Sequence, residues 1–251
     1  MDSRRIFLKK VFLLSGLAVS CKKNQQEDFI FDDDLLEDNF DSKIILKQNA
    51  TLLFIGDSIT DAARDKSILV PNSEKGLGDG FVRKIAVELM KKGQFEHASI
   101  YNRGISGNTI TDLLNRWNND AIALKPDTIS ILIGVNDVRR KIPPNNFYDT
   151  YRQILNKTRT ALPNAEIIIC EPFIFPNITG YGAINPIFKE YRKVIRKIAT
   201  EFNTVFVPYY DAFKNQAQTV SPASLLPDGF HPAAPLGINL LKDQWLATCA
   251  F

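Results

Sequence analysis

The chain has 251 residues, 45% of them hydrophobic and 24% charged, with a formal net charge of +3. Those proportions are ordinary for a soluble globular protein, and the length suits a single α/β domain with a sizeable core. The positive balance sits in the first twenty residues: without Arg4, Arg5, Lys9, Lys10 and Asp2, the 31 basic and 28 acidic residues become 27 and 27. No basic stripe then remains to neutralise phosphates, which excludes nucleic acid as a partner.

The opening segment "MDSRRIFLKKVFLLSGLAVSC" has a basic start, an apolar run from Val11 to Val19 and small residues before Cys21. The run is too short to span a bilayer and reads as an export signal over residues 1–20. "SRRIFLK" matches the twin-arginine export pattern. "LAVSC" resembles a bacterial lipobox, with Ala18 where that motif prefers a larger aliphatic residue. Lipidation of Cys21 would anchor the protein to a membrane of the cell envelope without spanning it. The alternative is a simple cleaved signal with an incidental cysteine. Residues 21–48, polar and acid-rich, are expected to form a flexible tether. The folded domain is expected over 49–251.

Within that domain short apolar runs alternate with longer amphipathic ones. The runs "LLFI" (52–55), "ASIY" (98–101), "TISILI" (128–133), "EIIIC" (166–170) and "TVFV" (204–207) are continuously hydrophobic, as suits strands covered on both faces. Helical patterns cover roughly 80–92, 111–124, 146–161 and 233–248. Another is expected to start with Asn185 as N-cap and Pro186 in the first turn. This alternation predicts an α/β fold, a five-stranded parallel sheet with helices on both sides. Ligands of such sheets bind beyond the carboxyl ends of the strands. Three loops qualify there: Gly56-Asp57-Ser58, "NRGISGNT" (102–109) and "GVNDVRR" (134–140).

Ser58 is either a helix cap or a nucleophile. The loop has no Gly-x-Gly-x-x-Gly phosphate pattern, and its Asp57 would repel an anion. Nor does it fit the Gly-x-Ser-x-Gly elbow. A nucleophilic serine needs a base, normally histidine. Of the two histidines, His97 precedes the second strand, at the wrong end of the sheet. His231, in "LLPDGFHP", can face the carboxyl edge, with Asp228 three positions earlier. Gly104 permits close backbone approach and Asn136 offers a side-chain amide, so both are candidate oxyanion donors or simply turn residues. Cys170 and Cys249 read as small core residues. No Cys-x-x-Cys or His-Glu-x-x-His spacing calls for zinc.

Taken in order, Ser in "GDSIT", Gly in "NRGISG", Asn in "GVND" and His in "DGFHP" resemble the SGNH superfamily, also called GDSL hydrolases, from about Thr51 to the C-terminus. The resemblance implies a three-layer, flavodoxin-like α/β/α sandwich with Ser58 as nucleophile, His231 as general base and Asp228 as its orienting acid. It makes Ser58, Gly104 and Asn136 the oxyanion hole and requires no cofactor or metal. "GLGDGFV" (76–82), "NRGISGNT" and "SILIGVNDV" (130–138) are similar to a bacterial branch containing carbohydrate acetyl esterases. Within that branch an aromatic residue often precedes the triad acid, where this chain has Pro227, so the acyl pocket is expected to differ.

The expected activity is therefore removal of small acyl groups, acetyl above all, from an oligosaccharide. Asp57, Arg103 and Tyr181 are expected to bind substrate, the last within a loop (171–186) whose Phe, Asn, Tyr and Gly suit sugar stacking. Membrane association is expected only through the N-terminal lipid, and an oligomer is compatible with the sequence. Two rivals stand beside this reading: a lysophospholipase or thioesterase using 171–186 as an apolar groove, and a non-catalytic glycan-binding lipoprotein.

Overall fold

The computed structural model describes Phe40 and residues 43–250. The expected export segment 1–20, the lipidation site Cys21 and the tether as far as residue 39 lie outside the described residues. So do positions 41, 42 and 251.

In chain order the elements are β1 (Ile44–Ile45), β2 (Thr51–Gly56), α1 (Ser58–Asp61), α2 (Glu74–Leu77), α3 (Phe81–Met90), β3 (Ser99–Asn102), α4 (Ile110–Asp120), β4 (Thr128–Leu132) and α5 (Val135–Arg139). There follow α6 (Pro144–Ala161), β5 (Glu166–Cys170), α7 (Tyr181–Glu201), β6 (Val205–Val207), α8 (Tyr209–Gln216), α9 (Pro222–Leu225), α10 (Leu236–Ala247) and β7 (Cys249–Ala250). Two short 3₁₀ turns, Gly93–Phe95 and Ile122–Leu124, complete the set.

Strands β3, β2, β4, β5 and β6 lie side by side in that order, and every neighbouring pair is parallel. Leu53 of β2 stands opposite Ile129 of β4, which in turn stands opposite Ile167 of β5. Every residue of β4 is buried, which its unbroken apolar run requires of a central strand with helices on both faces. On one face α4, α6 and α7 pack successively; on the other α10 lies against α3 and α8. The result is the expected three-layer α/β/α architecture. Indole nitrogens pin the layers: within one, Trp117 Nε1 of α4 donates to Thr158 Oγ1 of α6 at 2.9 Å, and Trp245 Nε1 of α10 ties the other to the sheet by donating to Ser130 Oγ of β4 at 3.0 Å.

This strand order places the topological switch between β2 and β4, whose following connections leave toward opposite faces. Ser58 follows β2 and Asn136 follows β4. The fold thus puts the two on either side of the crevice where such sheets bind ligands.

Two boundaries differ from expectation. Residues 43–48, assigned to the tether by their polarity, carry a parallel pairing with the far end of the chain, Ile44 opposite Cys249 and Ile45 opposite Ala250. Ile44 and Leu46 are buried, and Lys47 pairs with Asp127 at 3.2 Å. Further out, the Phe40 ring stacks 4.3 Å from that of Phe206. The helix expected to begin after Asn185 starts instead at Tyr181, with Gly180 (φ 78°) as its cap, and Pro186 lies inside it. Pro186 forfeits one helical hydrogen bond, while Tyr181 and Ile184 of the same first turns pack against the core.

Candidate active site

The Asp57 side chain, not that of Ser58, caps α1. Its Oδ1 accepts from Ile59 N at 3.0 Å, a short-range bond that starts the four-residue helix Ser58–Asp61. Ser58 becomes the first helical residue and its hydroxyl stays free for another partner. That partner is His231: Ser58 Oγ and His231 Nε2 lie 2.8 Å apart.

The histidine is held by a tight turn. Asp228 Oδ2 lies 2.6 Å from His231 Nδ1, while Oδ1 accepts from the backbone N–H groups of His231 at 2.8 Å and Phe230 at 3.2 Å. Burial raises the Asp228 pKa, but these bonds from His231 and Phe230 outweigh it and leave the carboxyl below its ordinary value. Gly229 lets the turn close. Its φ is +88°, and a Cβ there would lie 2.7 Å from Ile178 Cβ. The turn also rests on the loop after β5, where Phe175 N donates to Gly229 O at 2.8 Å and Asn177 Nδ2 to Leu226 O at 2.7 Å.

The other expected donors are arranged less simply. Asn136, 9% exposed, gives one amide hydrogen to Asn108 O at 3.1 Å; an amide carries two, which leaves the second for a ligand. Gly104 has no room for a side chain, since a Cβ would come within 2.2 Å of Asp61 N and 2.6 Å of Thr60 C in α1. Its N–H donates to Asn102 Oδ1 at 2.9 Å rather than standing unpaired toward an oxyanion. The Asn102 amide folds back over the turn and also donates to Thr60 O and Leu77 O, at 2.6 and 2.8 Å. Asn102 and Asn108 lie within the "NRGISGNT" stretch, but nothing in their spacing announced these roles.

Two of the expected substrate-binding side chains point inward. Asp57 is 1% exposed, so substrate does not reach it in this arrangement. Burial pushes its carboxyl up to about 7 against the pull of the Ile59 N–H, and the nearby Asp137 adds to the rise. Arg103, also buried, donates to Leu69 O at 3.1 Å and lies over the Tyr101 ring. Tyr181 is half-buried at the start of α7. Between the Asn136 and His231 segments, the Arg139 guanidinium sits 4.6 Å from the centre of the Phe230 ring. Arg140 instead donates to Gly107 O at 2.8 Å. Asp61, one turn beyond Ser58, holds the Gly104 loop by accepting from Ser106 N and Oγ at 2.9 and 2.7 Å. A cavity of about 600 Å³ lined by Leu77, Arg83, Val87 and Lys242 includes neither Ser58 nor His231. His97 is exposed just ahead of β3, at the opposite end of that strand from the Gly104 loop.

A hydroxyl, an imidazole and a carboxylate in hydrogen-bonded series can generate an alkoxide-like nucleophile, and amide donors beside it can receive the charge of a tetrahedral intermediate. Comparison with known proteins supports an ester hydrolase. Residues 54–235 match the GDSL-like lipase/acylhydrolase family. An acetylxylan esterase of Geobacillus stearothermophilus is 34% identical over 213 residues, 80% of this chain and 94% of that one. A crystal structure of that organism's acetylxylan esterase superposes with a TM-score of 0.74 at 32% identity, covering 83% of this chain and 97% of the other. Related structures of it are described as catalytic mutants with a serine or a histidine changed to alanine. A protein from Parabacteroides merdae described as a GDSL-like lipase gives a TM-score of 0.78 at 37% identity, covering 82% of this chain and 98% of that one. This chain belongs to the GDSL-like lipase/acylhydrolase family and is a carboxylic ester hydrolase.

Proposed function

We propose that the enzyme removes acetyl groups from carbohydrate through an acyl-enzyme on Ser58. The observation that carries this reading is the unbroken series Ser58 Oγ, His231 and Asp228, with steps of 2.8 and 2.6 Å. Ser58 Oγ attacks the ester carbonyl while His231 Nε2 takes its proton, and Asp228 stabilises the imidazolium. The tetrahedral oxyanion is received by the Ser58 N–H, which heads a helix and has no intrahelical acceptor, and by the second amide hydrogen of Asn136. Gly104 joins them by sharing its N–H with Asn102, a three-centre arrangement. Collapse breaks the bond to the sugar oxygen, which leaves with the proton from His231. Water then attacks the acetyl-Ser58 ester, giving its proton to His231; acetate departs and Ser58 recovers its hydrogen.

The acetylated-sugar substrate is supported by the name of the Geobacillus relative and its 94% coverage. An acetyl group needs little pocket, so most binding energy comes from the sugar and appears in kcat/KM. The Arg139–Phe230 pair beside His231 offers a cationic, flat-backed surface for sugar hydroxyls. The test compares acyl chains: acetylated xylo-oligosaccharide should exceed aryl acetate after correction for leaving-group reactivity, and activity should fall with chain length. A steady climb from acetyl to octanoyl would show a lipid groove instead.

Residues 1–21 support a location for this chemistry. The enzyme is proposed to leave the cytoplasm and to remain in the cell envelope through lipid on Cys21, held clear of the surface by the acid-rich segment that follows. Intact-mass analysis of the exported form should find a diacylglyceryl-modified N-terminal Cys21; an unmodified N-terminus beyond it would remove the anchor.

A further inference from the structure

One side chain bonds directly to the segments that carry two of the proposed oxyanion donors, Ser58 and Gly104, and reaches the third, Asn136, through Asn108. Arg116 lies on α4 with its side chain largely buried, 15% exposed. Its NH2 group donates to Gly56 O at 3.1 Å, two residues ahead of Ser58. NH1 donates to Arg103 O at 2.7 Å, the carbonyl of the peptide whose N–H belongs to Gly104. Nε donates to Asn108 Oδ1 at 2.8 Å, and the backbone carbonyl of that same Asn108 receives the Asn136 amide at 3.1 Å. Asp120, one turn further along α4, takes a second NH1 bond at 2.7 Å and aims the group.

We propose that Arg116 is the positioning residue of the oxyanion site, fixing the Ser58 and Gly104 segments directly, and Asn136 through Asn108, by three divergent hydrogen bonds. This rests on the function proposed above. The planar guanidinium is the side chain able to do it: it presents five N–H groups in a fixed fork, while a lysine ammonium is a point charge on a flexible stem. Each backbone carbonyl it holds is one or two residues from a donor, and Asn108 bonds to the third, so a shift of the guanidinium is passed on to the donors themselves. A second arginine braces the same turn, Arg64 Nε donating to Gly104 O at 2.7 Å. Oxyanion stabilisation is sensitive to such placement because it depends on donors set before the charge develops.

The prediction is a kcat effect. Arg116→Met should lower kcat on an aryl acetate by about 10–100-fold with KM nearly unchanged, the cost of slightly misplaced donors. Arg116→Lys should recover only part of it, and added guanidinium ion should partly rescue Arg116→Ala. In an Asn136→Ala background the Arg116→Met penalty should shrink, because a donor it positions is already gone. Wild-type kcat in a folded Arg116→Met enzyme, a loss confined to KM, or full additivity with Asn136→Ala would overturn the proposal. If Arg116→Met fails to fold, Arg116→Lys and guanidinium rescue decide on the same terms. Ser58→Ala run in parallel separates the two claims: activity surviving there refutes the underlying mechanism, whereas an inactive Ser58→Ala beside a fully active Arg116→Met refutes the role of Arg116 alone.

Discussion

Ser58 Oγ and His231 Nε2 stand 2.8 Å apart across 173 positions of sequence. The separation is closed by the sheet, which brings the end of β2 beside the turn that follows α9. It is also closed by Asp57, because a serine that capped its own helix would have its hydroxyl engaged elsewhere. The pairing is local chemistry delivered by long-range topology.

Asp228 bonds to both the imidazole and the turn that carries it, and its two oxygens separate those roles. Asp228→Asn should keep the Oδ1 contacts with His231 N and Phe230 N while presenting an N–H to Nδ1, which selects the wrong tautomer. We expect kcat to fall by about 10³–10⁴-fold with folding intact. Steady-state assay beside circular dichroism checks both halves, and near-normal turnover would leave Asp228 with a purely structural part.

Asn136→Ala removes one of the proposed oxyanion donors. It should lower kcat by roughly 10²–10³-fold and leave KM little changed. A change in KM alone would make Asn136 a ground-state binding residue.

The buried Asp57 ties stability to pH. Its folded pKa is raised from 3.8 to about 7, chiefly by burial, so the folded state holds a proton that the unfolded chain has released. The stabilisation is complete below the unfolded value and is lost as pH rises through about 7. Asp137 is raised to about 7 as well, again mainly by burial, and acts in the same direction. Denaturant unfolding at pH 5 and pH 8 should show the wild type losing stability, and Asp57→Asn losing less by roughly 3 kcal/mol. Parallel curves for the two proteins would mean that Asp57 ionises without cost.

Glu171, fully buried at the end of β5, receives Arg192 Nε at 2.9 Å and Arg196 Nε at 3.1 Å. The same two arginines reach the more exposed Asp211 at 2.9 and 2.6 Å. Glu171→Ala strands two buried guanidiniums with one partly hydrated partner and should cost roughly 3–5 kcal/mol in chemical denaturation. A loss under 1 kcal/mol would show that water replaces the carboxylate.

Much of this arrangement is legible in the sequence because parallel strands covered on both faces leave continuous apolar runs: "EIIIC" coincides with β5 residue for residue. The candidate site residues are visible only as a joint pattern, because a serine after a strand is an ordinary helix cap and an Asp-x-x-His spacing is common; it is Ser58, Gly104, Asn136 and His231 in order that stand out. Helices of four or five residues, such as α1, α2, α5 and α9, leave no period to read. Residues 43–48 look like tether because their pairing partner lies about 200 positions away, at Cys249 and Ala250. Gly104 was readable as a close-approach glycine, but the Asn102 amide that captures its N–H was not. Arg116 is invisible for a similar reason: in "LLNRWNND" it looks like the polar face of a helix, and two of its acceptors, Gly56 O and Arg103 O, are backbone carbonyls that no side-chain pattern reports.

The most direct measurement is hydrolysis of an aryl acetate by a folded Ser58→Ala enzyme. The account predicts a fall in kcat/KM of several orders of magnitude, about 10⁴-fold or more, with an unchanged unfolding midpoint. Activity close to wild type in a preparation free of parent enzyme would contradict Ser58 as the nucleophile and, with it, the acyl-enzyme mechanism.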